Sequence, residues 1–287
     1  MTLALALATK RMTYENLLVR VLGSCEQMAN ASVICTDKTG TLTLNDMTVV
    51  AGSFGIHCKF VRKLEDNKGR TNAGDCTPDD AKDEDRETRE RKHKDDFSID
   101  QNQLNTVLSS SLRDLINENI AVNSTAFEDK DKDSGETILV GSKTETALLK
   151  LAKELEWPAF HHIRETVGSD ANVVAAYPFS SERKAMGVVV KTKDGKFRLH
   201  AKGASEILSR KCTRHVIVGQ KGQEVPDGEV QTKEIDELES DNISRTIIFY
   251  ANQTLRTIAL CYKDFEQWPP KDLQTTDGEV CIVMVSR

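Results

Sequence analysis

No apolar run in the 287-residue sequence is long enough to cross a bilayer. A spanning helix needs about 20 consecutive apolar residues, whereas the stretch TLALALA at residues 2–8 soon meets Lys10 and Arg11. That stretch reads either as a buried helical turn or as the end part of a longer membrane helix. A C-x-x-C pair is also missing. The seven cysteines stand at 25, 35, 58, 76, 212, 261 and 281, a spacing that suggests neither a zinc site nor a redox motif. Their odd number, without a secretory signal, fits a reducing compartment. The N-x-S/T triplets at Asn30, Asn123, Asn242 and Asn252 then read as chance. Nor is there an excess of positive charge. The formal net charge is -6, which argues against a nucleic-acid binder. No internal repeat is visible.

What is present suffices for a real core. Hydrophobic residues make up 38% and charged residues 29%, within the range of globular domains. The length fits one large or two medium domains. Residues 12–30 read as a helix, with Leu17, Leu18, Val21 and Leu22 at helical spacing. Ser32 to Cys35 reads as a short strand buried on both faces, and Met47 to Val50 as a second β-rich run. Between Asp79 and Asp96, 15 of 18 residues are charged with both signs mixed, the composition of a solvated, disordered loop. With its flanks, about 62–98, it reads as an insertion.

From residue 99 the pattern is orderly. Leu104, Val107, Leu108, Leu112 and Leu115 predict an amphipathic helix. Thr137–Val140 reads as a strand and Lys143–Glu156 as a helix. Two strands, Met186–Val190 and Phe197–Ala201, flank Asp194-Gly195, a hairpin turn. Asp236–Gln253 reads as a helix and Thr257–Tyr262 as a strand. Cys281–Val285 has strand character without a clear assignment. The fold class is α/β, with a long mixed insertion built on an antiparallel sheet flanked by helices.

The stretch VICTDKTGTLT at residues 33–43 carries the chemistry. Sites in open α/β sheets form beyond the carboxyl ends of strands, where the predicted strand places Asp37. A carboxylate there can attack a phosphoryl group and form an acyl phosphate. Lys38 adds positive charge near the phosphate. Thr39 offers a hydroxyl and a carbonyl, and Gly40 permits a tight turn. Thr41 and Thr43 can donate hydrogen bonds. Two anions repel, so the attack calls for Mg2+ between them. The plain alternative is a D-x-x-G surface turn.

DKTGTLT, with Met47-Thr48-Val49 after it, resembles the phosphorylation signature of P-type ATPases. Further segments resemble that family in the same order: Lys143 to Leu149 (KTETALL), Tyr177 to Lys184 (YPFSSERK), Lys202 to Glu206 (KGASE) and Leu255 to Ala259 (LRTIA). The resemblance covers about residues 3 to 270. Its wording at Ala8–Met12, Asn16–Arg20 and Lys143–Glu145 is nearest to calcium pumps of the plasma-membrane and fungal vacuolar type.

The resemblance implies roles. Asp37 would be phosphorylated, with Lys38 and Thr39 beside it, and Asp37 and Thr39 would contact Mg2+. In the inserted domain Phe179 would stack on adenine, and Glu145 would contact the adenine side. Lys184, Lys202 and Gly203 would line the nucleotide pocket, and Arg256 would reach the phosphates. Ser181 departs from relatives that carry Arg there, so no phosphate contact is assigned to it. Each residue has a plain alternative: Phe179 in a core, Lys184 and Lys202 solvated, Glu145 as a helix-start acid, Arg256 paired with a local acid. The joint pattern favours the functional roles.

Four spans are expected. They are 1–26, the cytosolic end of a membrane helix and its stalk; 27–50, the first part of a Rossmann-like phosphorylation domain; 51–270, the nucleotide-binding domain; and 271–287, an unassigned tail. The sequence contains no G-D-G-x-N-D, T-G-D, D-P-x-R or T-G-E-S segment, so it is expected to be part of a longer pump. The parent would sit in a vacuolar or plasma membrane with this segment on the cytosolic face. ATP and Mg2+ are the expected cofactors, with no nucleic-acid partner. The transported ion, calcium by resemblance alone, would not bind this segment. ATP is expected to bind the isolated chain without efficient turnover. Two alternatives stand beside this: a non-catalytic nucleotide-binding or pump-interacting module, and an aspartate-dependent phosphatase. Against the phosphatase, position +2 from Asp37 is Thr39, not the second acid that such hydrolysis uses.

Overall fold

The strand Thr257–Phe265 shows how the core is arranged. Leu260 and Tyr262 face one layer of buried side chains, whereas Ala259 and Cys261 face another, as the two-residue period of a strand requires. The computed structural model describes residues 2–21, 23–38, 40–44, 46–64, 96–130, 137–169, 171–219, 228, 230–270 and 283–286. It divides into two units, Met1–Asp46 and Met47–Arg287.

In the first unit, helix α1 spans Thr2–Tyr14 and α2 spans Gly23–Ala29. The helix expected over 12–30 is thus broken. Asn16 adopts φ 61°, and the Leu17 amide donates to the Met12 carbonyl at 2.9 Å. A left-handed residue with this reach-back ends a helix. Leu17 and Leu18 are exposed, as are Leu3 and Leu7, so the TLALALA stretch is not a buried turn. No helix of the described residues is long and apolar enough to cross a membrane.

The strand expected at 32–35 is not formed, and Val33 and Ile34 are 74% and 87% exposed. A doubly buried strand needs hydrogen-bonded neighbours, and no described strand pairs with this segment.

The second unit contains an eight-stranded sheet. Its strands are β1 (Ala51–Phe54), β2 (Cys58–Val61), β3 (Phe97–Asp100), β6 (Val173–Ser180), β7 (Ala185–Lys191), β8 (Phe197–Ala204), β11 (Thr257–Phe265) and β12 (Val283–Ser286). Their spatial order is β3-β2-β1-β12-β11-β8-β7-β6. The pair β2–β3 is parallel, and the others are antiparallel. Two small antiparallel pairs lie outside this sheet: β4 (Phe127–Lys130) with β5 (Thr137–Val140), and β9 (Arg214–Val216) with β10 (Thr232–Glu234).

One sheet face packs on α3 (Leu104–Val107), α4 (Ser110–Val122) and α5 (Lys143–Glu154) through Phe60, Leu112, Ile116 and Leu148. The other packs on α8 (Glu237–Asn252) through Ile243 and Ile247. Burying each such side chain contributes about 1.5–3 kcal/mol. Two short helices complete the unit: α6 (Phe160–Thr166) and α7 (Ser205–Leu208).

Most of the expected elements of this unit form, with three shifts. The helix expected from Leu104 to Leu115 is interrupted, because Leu108 is extended and Ser109 caps α4, its Oγ accepting from the Leu112 amide at 3.3 Å. Local capping by Ser competes with helix continuation. The run Met47–Val50 precedes β1 rather than forming a strand. Within the insertion expected at 62–98, Phe97 and Ser98 belong to β3, and residues 65–95 lie outside the described residues. At the chain's end, where no clear assignment was read, Val283–Ser286 forms the strand between β1 and β11.

Candidate functional site

The β6–β7 hairpin turns through residues 181–184, and Lys184 adopts φ 49°. That left-handed backbone closes the turn, with the Lys184 amide donating to the Ser180 carbonyl at 2.7 Å. A register shift between Tyr177 and Ser180 re-aims the strand just before the turn, as bulges do. Phe179 stands in this irregular stretch and is 60% exposed.

Beside the turn runs Gly203 of β8, paired with Ala185 of β7 and with Ala259 of β11. A Cβ at Gly203 would lie 2.4 Å from the Lys184 carbonyl oxygen and 2.7 Å from the Ala185 Cα. Only glycine lets these strands close here.

These elements form one wall of a cavity of about 950 Å³, a volume suited to a cofactor-sized ligand. All six residues expected to hold a nucleotide line it: Glu145, Phe179, Lys184, Lys202, Gly203 and Arg256. They come from α5, the β6–β7 hairpin, β8 and the turn before β11. Arg256 follows Thr254, whose φ of 59° ends α8 and reverses the chain. Met186 and Ile258 add apolar lining, and Ser181, Glu206, Thr125 and Ser142 add polar groups.

Glu145 and Lys202 meet directly. Lys202 Nζ donates to Glu145 Oε1 at 2.9 Å, and both side chains are 5% exposed. Glu145 Oε2 accepts from the Thr125 amide at 3.2 Å and from its hydroxyl at 3.0 Å. Burial opposes ionisation of Glu145, but the Lys202 charge and the hydrogen bonds from Lys202 and Thr125 outweigh it and hold the carboxyl below its ordinary range. For Lys202, burial dominates and pushes the ammonium below its ordinary range despite Glu145. An acid expected to face the adenine thus also holds a lysine in place.

Thr125 and the nearby Arg164 had no place in the sequence-based expectations. The only sequence signal at Thr125 was the Asn123 triplet, read as chance. Its role depends on a turn that brings it to α5.

The other expected residues belong to the first unit. Asp37 and Lys38 are exposed in a loop. The Lys38 carbonyl accepts from the Leu42 amide at 3.1 Å, the Thr43 amide at 3.2 Å and the Thr43 hydroxyl at 3.2 Å, and Gly40 adopts φ 83°. The segment after Asp37 is therefore a hydrogen-bonded turn. Thr39 lies outside the described residues. No group of three or more His, Cys, Asp or Glu among the described residues could hold a metal ion. They do not build a complete Mg2+ site.

The arrangement in the cavity offers a flat aromatic face, apolar side walls and three cations, a set that suits a ring bearing anionic groups. Residues 111–284 match the family profile described as P-type ATPase, cytoplasmic domain N. "Calcium-transporting ATPase 2" of Cryptococcus neoformans var. grubii is 59% identical over 269 residues, 94% of this chain and 18% of that protein. "Calcium-transporting ATPase 2" of Schizosaccharomyces pombe is 37% identical over 97% of this chain and 19% of that protein. "Plasma membrane calcium-transporting ATPase 4" of Homo sapiens is 34% identical over 94% of this chain and 18% of that protein. The chain spans less than a fifth of the length of these three relatives.

Proposed function

The chain belongs to the P-type ATPases and carries their cytoplasmic domain N, and from that premise we propose that it is the ATP-binding and phosphorylation segment of a calcium-transporting pump. ATP occupies the cavity of the second unit. The Phe179 ring stacks on adenine, the Glu145–Lys202 pair borders the base, and Lys184 and Arg256 attract the phosphates. In the whole pump a carboxylate oxygen of Asp37 attacks the γ-phosphorus, the bond to the β,γ-bridging oxygen breaks, and ADP leaves. Lys38 lowers the repulsion between the two anions. Mg2+, with Asp37 and Thr39 as protein contacts, is a cofactor of the whole pump in this reading. The pump's calcium substrate rests on the names of the relatives; a plasma membrane rests on one of those names and a vacuolar one on the motif resemblance alone, with this segment on the cytosolic side.

One observation carries the reading: residues from four separate segments, 57 positions apart in the case of Glu145 and Lys202, line a single cavity. Calorimetric titration of the chain with ATP tests it. Saturable binding is expected, weakened about fivefold or more in Phe179→Ala, since stacking of a base on an aromatic ring is worth about 1–3 kcal/mol. A wild type that binds no ATP defeats the reading. The isolated chain is expected to turn over little ATP. Mg2+-dependent hydrolysis that disappears in Asp37→Asn would overturn that part.

A further inference from the structure

A second, half-buried cation stands behind the cavity. Arg164 lies in α6, and all three of its guanidinium nitrogens donate to backbone carbonyls. Nε reaches Ala121 at 2.8 Å, one Nη reaches Ala126 at 2.7 Å, and the other reaches Ser124 at 2.8 Å. Its central carbon lies 4.7 Å from the centroid of the Phe160 ring. The three carbonyls belong to one short segment, where α4 ends and the chain turns toward β4. The segment is also received from the other side. Gly141 has φ 151°, and a Cβ there would lie 2.6 Å from the Ala126 Cβ.

Thr125 sits in the middle of this clamped segment, and its amide and hydroxyl both donate to Glu145. Glu145 in turn fixes the Lys202 ammonium. Thr125, Glu145 and Lys202 line the cavity, and Arg164 does not.

We propose that Arg164 is a positioning residue for the nucleotide: by clamping residues 121–126 it sets Thr125 against Glu145, and through Glu145 it sets the Lys202 ammonium. The proposal rests on the ATP-binding reading above. Arginine suits the task because its planar fork carries five N–H donors and serves three carbonyls at once, which a lysine ammonium on a flexible stem does not. Charge adds to geometry. Burial disfavours the Arg164 cation, and Glu145 favours it, so the carboxylate lies in the field of two cations. Lys202 responds to both: burial lowers its proton affinity, Glu145 raises it, and Arg164 lowers it further.

The test is ATP titration of the full chain as wild type, Arg164→Lys, Thr125→Val and the double variant. Each single change is expected to weaken binding roughly tenfold or more, the loss of a hydrogen bond to a charged group. The double variant should bind no worse than the weaker single, because both changes act through one contact. Losses that multiply overturn the proposal.

The pH profile separates positioning from general stability. Acid-side loss of affinity should begin at a higher pH in both single variants, since Glu145 loses hydrogen bonds to its ionised form. The nucleotide's own titration, and the charges of Lys184, Glu206 and Arg256 around the cavity, are common to every protein compared. An unshifted acid limb beside a lowered melting temperature overturns the proposal and leaves Arg164 a purely structural residue. If Arg164→Lys does not fold, amide exchange in the wild type decides: residues 121–126 should exchange more slowly with ATP bound, and equal rates count against the clamp. A wild type that binds no ATP sinks the parent reading and this inference with it. A wild type that binds ATP, with Arg164→Lys binding equally well, sinks the inference alone.

Discussion

Lys202 and Glu145 form an ion pair at 2.9 Å in which each side chain is 5% exposed. Such a pair lowers the cost of burying each charge, but truncating one partner strands the other. Lys202→Met is therefore expected to destabilise the chain by about 3–5 kcal/mol, and Glu145→Gln/Lys202→Met by clearly less. Urea unfolding of the two variants checks the order. A double variant no more stable than the single would show that the lysine matters for packing rather than charge.

The same pair sets an acid limit. The folded-state pKa of Glu145 is below its ordinary value of 4.5. Its stabilisation is thus fully present above about pH 4.5 and is lost as pH falls through the folded value. Thermal melts of wild type and Glu145→Gln between pH 7 and 3 should converge at the acid end. Parallel curves across that range refute the assignment.

Gly203→Ala is expected to separate β7 from β8 near Lys184. The contacts of the new methyl are with the Lys184 carbonyl and the Ala185 backbone and Cβ, not with the end of a flexible side chain. A cost of about 1–3 kcal/mol is typical of overpacking, and ATP affinity should fall with it, because Lys184 and Lys202 flank the distorted pair. Amide shifts confined to residue 203 would contradict this.

Lys59 gives a third pH signature, in the alkaline range. Its ammonium is buried and donates to the Ile56 carbonyl at 2.7 Å and to the Thr246 hydroxyl at 3.1 Å. Burial lowers its pKa from 10.5 to about 8, with Asp96 and then Cys58 opposing. Between those values the unfolded chain holds a proton that the folded chain has released, so this group makes stability rise with pH. Burial pushes the neighbouring Cys58 thiol up to about 12, which acts in the other direction above pH 9. The difference between wild type and Lys59→Met isolates the lysine: wild type should gain on the variant from pH 8 to 10.5. A constant difference rejects the shift.

Ser181→Arg should tighten ATP binding several-fold at low salt. Ser181 lines the cavity, in a turn that already presents Lys184, and a guanidinium there adds a cation for the phosphates. The gain should shrink as salt is raised. No gain at low salt would place the phosphates elsewhere.

Legibility in the sequence followed locality. The Asp194-Gly195 turn and the short apolar runs of β7 and β11 act over a few residues, and those elements, with the helix read from Asp236, formed near their expected positions. Expectations missed where a local competitor intervened, as Asn16 did after α1 and Ser109 did before α4. They missed again where a strand lacked neighbours, as at 32–35. The six cavity residues were legible only as a set of short motifs, since Phe179 alone reads as a core residue and Lys184 alone as a solvated one.

The sequence by itself determined the chemical inventory: an acid in DKTGTLT, a second in KTETALL, an aromatic, three cations and a glycine at fixed places in the chain. Only the tertiary structure decided which of these meet. Glu145 and Lys202 pair because the fold brings the first turn of α5 within reach of the last residues of β8, and Gly203 is required because β7 passes within a Cβ radius of it. Arg164 reaches the site through three carbonyls rather than through any motif. Hydrogen bonds to backbone carbonyls leave no side-chain pattern to read, because every residue has a carbonyl. That is why the clamp was invisible until the chain was folded.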